Sequence, residues 1–398
     1  MGSPWVIARS VPSGAFLYQK MIRESDPNAR PGDLVHVYDR RGELFGCGLF
    51  NPRSQIVVRM LARGSTPVDD EFWRSALQRA LALRRAQRID EITDAYRLVH
   101  AEGDALSGLI VERYGDALVF ELFSLGMFQR RRMLAELLAE LLGAPAQLER
   151  PDRASPTWRT VIRADARIQK LEGFHAAPPQ SDTPLRTTIH EHGVRYRVDL
   201  ATGHKTGFFC DQRDNRRRFA GLCAGAAVLD VCCYSGGFGL CAKLLGKARE
   251  VTSVDLDEDA VALARENANL NQTRIQLVHA DAFAYLRQMG ANQRRYDAIV
   301  LDPPKLARSR RDLDEAGVKY FDLNRLALRL VRPGGVLLTC SCSGSLPLHR
   351  FTEIVHAAAS RTGRRAQMFD RTGAGPDHPV LLDCPESEYL KALWLRVL

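Results

Sequence analysis

Apolar residues along this chain change their spacing twice, and each change marks a different kind of element. Up to about residue 66 they come in short runs, Leu34–Tyr38, Leu44–Phe50 and Gln55–Met60, separated by an Asp39–Gly42 turn and an Asn51-Pro52 break. Runs of that length, punctuated by glycine and proline, predict short strands closing a small β-barrel. From 67 to 188 the spacing turns helical over Asp70–Gln87, where Phe72, Trp73, Leu77 and Leu81 share a face, and again over Met127–Leu142. With the strand Ala117–Phe123 between them, this predicts a mixed α+β domain. A Pro-, Ser- and Asp-rich joint at Ala176–Pro184 closes it. Glu102, Asp104 and Asp116 stand beside Gly103 and Gly115, which places them in turns rather than in a catalytic carboxylate group.

The third texture fills 189–398. Val194–Asp199 and His204–Phe209 read as a hairpin, and a helix opens at Asp211–Arg216. Apolar strands then alternate with helical stretches: Ala226–Val231, Glu250–Asp255, Ile275–Asp281, Tyr296–Asp302 and Gly335–Thr339. That alternation predicts a doubly wound, Rossmann-like α/β domain around a parallel sheet. Ala366–Phe369 and Tyr389–Leu398 supply a final antiparallel pair.

Chemistry enters where these strands end. Val228–Gly239 runs from a strand into Gly236-Gly237-x-Gly239 at a helix start, where free N–H groups can hold a polar ligand. The spacing is not the dinucleotide G-x-G-x-x-G, and it resembles the S-adenosylmethionine (SAM) pocket of class I methyltransferases. Asp230, Asp255, Asp281 and Asp302 each close a predicted strand at the end where such sheets bind ligands. The competing role for each is helix N-capping. Asp255 suits a ribose diol and Asp281 an adenine amino group. Candidate SAM contacts are therefore Asp230, Cys232, Tyr234, Ser235, Gly236, Gly237, Phe238, Asp255, Asp281, Ala282 and Asp302.

The last strand ends in Cys340-Ser341-Cys342. Ring C5 of a pyrimidine is a poor nucleophile until a thiolate adds at C6, so a carbon methyltransferase needs such a cysteine. Two-residue alternation puts both cysteines on one face, and Cys342, farther out beside Ser343-Gly344, is the favoured nucleophile. Asp302-Pro303-Pro304-Lys305 carries lysine where amino-group methyltransferases place a stacking aromatic, which argues against methylation of an exocyclic amine.

Composition adds a partner. The net charge is +9 and the pI about 9.2, and arginines cluster at 130–132, 213–218, 308–311 and 364–365. Clusters of this kind suit a polyanion such as RNA. Arg216, Arg217, Arg308, Arg310 and Arg311, near the strand ends, are candidate phosphate contacts. Nine cysteines, an odd number set mostly within strands and helices, suit reduced thiols in a cytoplasmic protein. No apolar run is long enough to span a bilayer, no charged-then-apolar leader opens the chain, and no zinc spacing occurs, so neither membrane nor metal is expected.

Gly203-His-Lys-Thr-Gly207, Asp211-Gln-Arg-Asp214, Tyr234-Ser-Gly-Gly-Phe238, Asp302-Pro-Pro-Lys305, Ser341-Cys-Ser-Gly344 and Asp377-His-Pro-Val380 occur in the order seen in one family. The chain resembles, nearly end to end, the PUA-containing large-subunit ribosomal RNA cytosine-C5 methyltransferases. The resemblance implies a PUA-like RNA-binding barrel over 1–66, a middle domain over 67–188 and a methyltransferase domain over 189–398. It implies that Lys205, Thr206, Phe208, Asp211 and Arg213 line the SAM pocket, and that Cys342 is the nucleophile. Asp302 would hold the cytosine edge, Lys305 would hold the base or its phosphate, and a homodimer is implied. Two departures stand out: Cys232-Cys233 replaces the family's Asn-Cys or Asn-Ala, and Cys340 adds a second thiol. Methylation of a guanine nitrogen, or a non-catalytic RNA-binding assembly factor, are the alternative functions. The base that takes the C5 proton stays open between water and Asp302.

Overall fold

The computed structural model describes residues 3–11, 14–144, 157–177, 185–200, 207–307 and 309–398. The chain divides into two compact units. One comprises Met1–Ile189, Val198–Phe208 and Pro376–Ser387; the other comprises His190–Arg197, Phe209–Gly375 and Glu388–Leu398.

In the first unit, six short strands form one sheet: β1 (Trp5–Ala8), β2 (Phe16–Tyr18), β3 (Ile22–Ser25), β4 (Leu34–Tyr38), β5 (Leu44–Phe50) and β6 (Ile56–Arg63), in the order β2-β6-β5-β4-β1-β3. Alternate residues of β1 and β4 point inward, so Val6, Ala8, Val35 and Val37 meet Leu17, Phe50, Val58 and Met60 in one core. A second sheet, of β7 (Ala95–His100), β8 (Leu109–Tyr114), β9 (Ala117–Leu122) and β10 (Arg159–Arg163), packs against α1 (Asp70–Ala86) and α2 (Leu125–Leu142). The apolar face read from Trp73, Leu77 and Leu81 is the buried face of α1. The short helix α3 (Ala166–Glu172) follows β10.

The buried arginines Arg84 and Arg97 of this unit are paired. Arg84 binds both oxygens of Asp104, at 2.6 and 2.8 Å, and donates to the Asp377 carbonyl at 2.7 Å. Arg97 binds Glu112 at 2.7 Å, while the Arg97 N–H donates to Asp377 Oδ2 at 2.9 Å. Glu102 accepts from Ser107 and from the Gly108 N–H, and Asp116 binds Arg159. The three acids expected in turns are thus fully used in holding those turns.

A hairpin of β11 (Arg186–Glu191) and β12 (Val194–Asp199) leads into the second unit. It corrects the sequence reading, which paired Val194–Asp199 with 204–209. The loop is His192-Gly193, with φ of +51° and +81°, the left-handed pair that a two-residue hairpin turn demands. Residues 207–209 form no strand.

The second unit is built on β13 (Ala227–Val231), β14 (Glu250–Asp255), β15 (Gln276–His279), β16 (Tyr296–Leu301), β17 (Val331–Ser341), β18 (Ala366–Thr372) and β19 (Lys391–Val397). The sheet order is β15-β14-β13-β16-β17-β19-β18. The first five are parallel and the last pair antiparallel, as the alternation predicted. Every residue of β13 is buried, as expected for a central strand covered on both faces. Its helices are α4 (Arg213–Ala220), α5 (Gly237–Leu244), α6 (Glu258–Leu270), α7 (Ala282–Ala291), α8 (Leu313–Leu330) and α9 (Leu348–Arg361). They leave the carboxyl ends of β14, β13, β16 and β17 side by side, carrying Asp255, the glycine turn, Asp302 and Cys342 in that order.

Candidate active site at the strand ends

The turn after β13 is held from below. Asp230 has no exposed surface; its Oδ2 accepts from the Gly239 N–H at 2.9 Å and lies 3.4 Å from Ser253 Oγ. A side chain at Gly239 would put Cβ 2.3 Å from Ser253 Oγ, so glycine is required there. Gly236 has φ +81° and starts α5. More unusual are Cys232 and Tyr234, at φ +62° and +47°. A Cβ is crowded by the backbone in that region, and such backbone concentrates at functional sites. The Tyr234 N–H donates to Asp255 Oδ2 at 2.8 Å, and the Asp257 N–H to Asp255 Oδ1 at 3.0 Å. Phe209 meets the Tyr234 ring edge-on, with centroids 4.9 Å apart.

The four strand-end acids therefore do different things. Asp281 is exposed and caps α7, accepting from the Ala284 N–H at 2.9 Å, which is the capping role rather than a strand-end one. The N-cap of α6 is Asp257, leaving Asp255 at the end of β14. Asp230 braces the turn, and Asp302 sits half-buried after β16. Burial, reinforced by the charges of Asp302 and Asp255, raises the Asp230 carboxyl to about 7 against the Gly239 N–H and Ser253 hydroxyl that oppose the shift. Carboxylates this crowded favour a ligand that brings positive charge.

At the next strand end the two thiols separate. Cys340 is fully buried, and burial lifts its thiol well above the ordinary range, so it stays protonated. Cys342 is partly exposed, its Sγ 3.9 Å from the Pro303 carbonyl oxygen of Asp302-Pro-Pro-Lys305. Its flanking serines are locked: Ser341 Oγ donates to Tyr320 Oη at 2.9 Å, and the Ala307 N–H donates to Ser343 Oγ at 3.1 Å. The loop after β16 and the loop after β17 are thereby joined. Lys305 is exposed.

One sequence assignment changes, and the other candidates are placed as follows. Arg216 is buried and binds Glu191 through two 2.7 Å contacts, so it cannot meet a phosphate. Helical spacing explains this: 213, 216 and 220 share the inner face of α4, while Arg217 and Arg218 point outward. Arg213 is wholly buried too. Asp211 is nearly so, with its Oδ2 accepting from Tyr389 Oη at 2.6 Å and its carbonyl from the Gly375 N–H. Phe208 is buried and belongs to the first unit, where its carbonyl accepts from Tyr114 Oη at 3.2 Å. Ser235, Gly236, Gly237 and Phe238 are buried, Ala282 half-buried, and Arg310 and Arg311 exposed. Lys205, Thr206 and Arg308 lie outside the described residues. Sequence reading missed Tyr389, Tyr320 and Lys391. Lys391 is a charged residue inside the apolar run of β19, a signal that could have been used.

Residues 136–396 match the family described as S-adenosylmethionine-dependent methyltransferases, and residues 15–63 match a PUA-like domain. The ribosomal RNA large subunit methyltransferase I of Tolumonas auensis is 37% identical over 391 residues, covering 96% of this chain and 95% of that protein. The protein of the same name from Aeromonas hydrophila is 37% identical over 389 residues, covering 96% and 94%. The chain belongs to the SAM-dependent methyltransferases. Within them it falls in the family of the large subunit methyltransferase I proteins. A solved structure from Streptococcus mutans, described as a putative SAM-dependent methyltransferase, superposes with a TM-score of 0.80 at 21% identity, covering 98% of this chain and 99% of that one. A methyltransferase crystallised with SAH superposes equally well, at TM-score 0.80 and 21% identity, covering 96% and 95%. The methyltransferase fold is therefore the one the alternating strands predicted. SAM, whose sulfonium is a cation, has the charge that the Asp230, Asp255 and Asp302 cluster favours.

Among the described residues no helix is long and apolar enough to cross a membrane, and no group of three His, Cys, Asp or Glu side chains is placed to hold a metal ion.

Proposed function

We propose that this enzyme transfers a methyl group from SAM to C5 of a cytosine in large-subunit ribosomal RNA, through a covalent bond between Cys342 and C6. The observation that carries this reading is the half-exposed Cys342 at the end of β17, beside Asp302-Pro-Pro-Lys305, while Cys340 is sealed inside. Bound SAM supplies an electrophilic methyl group. The strained turn 232–236, the α5 N-terminus and Asp255 hold the cofactor, and Asp302 accepts from the cytosine N4 amine. The Cys342 thiolate adds to C6 and makes C5 nucleophilic; C5 takes the methyl group and gives its proton to water or to Asp302, and the carbon–sulfur bond breaks to restore the double bond and the thiolate. The target base must leave its stack to present C6.

RNA is held by the exposed Arg310 and Arg311 after β16, by Arg217, and by the PUA-like region. We propose the division into 1–66, 67–188 and 189–398, a homodimer, and a cytoplasmic location, to which nine free cysteines are suited. The test is methyl transfer from labelled SAM to ribosomal RNA, with digested nucleosides identified by mass spectrometry. The expected product is 5-methylcytosine, lost in Cys342→Ala and kept in Cys340→Ala. Methylguanine formed undiminished by Cys342→Ala would replace this reading with nitrogen methylation. Absence of SAM binding would replace it with a non-catalytic RNA-binding role.

A further inference from the structure

Lys391 opens β19, the strand antiparallel to the one that ends in the nucleophile. In that register Lys391 faces Ser341 and Ala392 faces Cys340. A lysine in a run that continues Ala-Leu-Trp-Leu should be excluded from the interior, yet Lys391 is 5% exposed. Its Nζ donates to the Ser343 carbonyl at 2.6 Å and to the Tyr389 carbonyl at 2.7 Å. The first of these carbonyls belongs to the residue directly after Cys342. The ammonium therefore sits under the loop that presents the thiol, and Cys342 is the group whose charge acts most strongly on it, ahead of Glu388 and Lys305.

Resting on the reading of Cys342 as nucleophile, we propose that Lys391 is the buried cation that stabilises Cys342 as a thiolate, acting through that residue rather than on the RNA. Removing the proton from a half-buried thiol leaves a charge that water solvates only in part, and a fixed cation nearby compensates for the rest. Lys305, the other lysine near the thiol, is exposed and screened by solvent. Asp302 opposes ionisation by its own charge, and the neutral Tyr320 and Cys340 contribute no cation. Burial lowers Lys391 to about 8, so the amine keeps its proton at neutral pH. The thiolate and the ammonium then hold each other ionised, and the proton that Cys342 loses passes to solvent before the base binds. Carbonyl contacts alone would be served by any donor; a charged one, buried beside the nucleophile, has an electrostatic task.

The experiment is the pH dependence of Cys342 alkylation by iodoacetamide, followed by mass spectrometry in the full-length enzyme. Lys391→Gln retains donors for the two carbonyls and removes the charge. It should slow alkylation at pH 7 by about tenfold, with the rate recovering as pH rises, while Lys391→Arg restores the wild-type profile. SAM affinity should not change. If Lys391→Gln does not fold, Cys342→Ser provides the reverse measurement: the titration of Lys391, followed by NMR, should move to lower pH once the thiolate is gone. An unchanged alkylation profile in Lys391→Gln, or an unchanged Lys391 titration in Cys342→Ser, overturns the proposal even where Cys342 proves essential. Full methyl transfer by Cys342→Ala would instead overturn the reading of the nucleophile, leaving the electrostatic coupling to stand or fall on the alkylation profile.

Discussion

Buried charge is treated in opposite ways in the first unit and at the strand ends of the second. In the first, Asp104, Glu112 and Asp377 meet arginines or backbone N–H groups at hydrogen-bond distance, and Arg84 and Arg97 have at most 7% of their side chains exposed. At the strand ends of the second, Asp230 and Asp255 are answered by N–H and hydroxyl groups, and with Asp302 they crowd one another. Paired charges fix a structure, and removing one partner leaves the other stranded. Crowded like charges carry an unmet preference for a cation, and that preference is what a binding site can use. The contrast separates acids that hold the fold from acids that hold a ligand, although both look alike along the chain.

The largest effect should come from breaking a pair. Glu112→Ala strands Arg97 in the interior of the first unit and should cost about 3–5 kcal/mol in denaturant unfolding of that unit. A loss under 1 kcal/mol would mean that the network is not the brace described here. Asp255→Ala should do the reverse: unfolding changes by about 1 kcal/mol, while SAM affinity, by calorimetry, falls by about 1.5–3 kcal/mol. A stability loss as large as that of Glu112→Ala would erase the distinction between the two regions.

Asp230 sharpens it through pH. Its folded-state value, raised to about 7, lies above the ordinary carboxylate range, so the folded protein keeps a proton that the unfolded chain releases. The stability this contributes is complete below about pH 4 and lost as pH rises through 7. Asp230→Asn should remove that slope. It should also flatten SAM binding between pH 6 and 8, where the wild type gains about fivefold relative to the variant as the carboxylate forms. Equal pH profiles would show that Asp230 stays charged throughout. The smallest effect concerns Cys232, at φ +62°. Asparagine tolerates that region better, so Cys232→Asn should stabilise by about 0.5 kcal/mol in thermal unfolding. Destabilisation would show that packing of the thiol outweighs the strain.

Much of the second unit is legible because four of its strands run to an acid at a turn and most of its helices have a periodic apolar face. The last antiparallel pair follows from the same spacing, and the exposure difference between Cys340 and Cys342 follows from the place of Cys342 where strand gives way to the Ser343-Gly344 loop. What failed was anything decided by partners distant in sequence. Arg216 reads as one of a basic run, and only Glu191, 25 residues earlier, shows it to be interior. The Tyr389 hydroxyl that meets Asp211 lies 178 residues away, a partner that the sequence does not reveal. The partner of Val194–Asp199 is the segment before it, and His192-Gly193 is the turn signal that carries this pairing. Asp281 caps α7 through one carboxylate oxygen, and a strand end and a helix N-cap fall within one or two residues of each other, so the sequence does not distinguish the two roles.

The most direct test is trapping on ribosomal RNA that carries 5-fluorocytosine, with SAM present. Fluorine at C5 cannot leave as a proton does, so the covalent complex should accumulate and shift the protein on a denaturing gel. The expected result is an adduct present in the wild type and Cys340→Ala and absent in Cys342→Ala. Methyl transfer to ordinary ribosomal RNA with no adduct on the fluorinated RNA would contradict attack by Cys342 on C6.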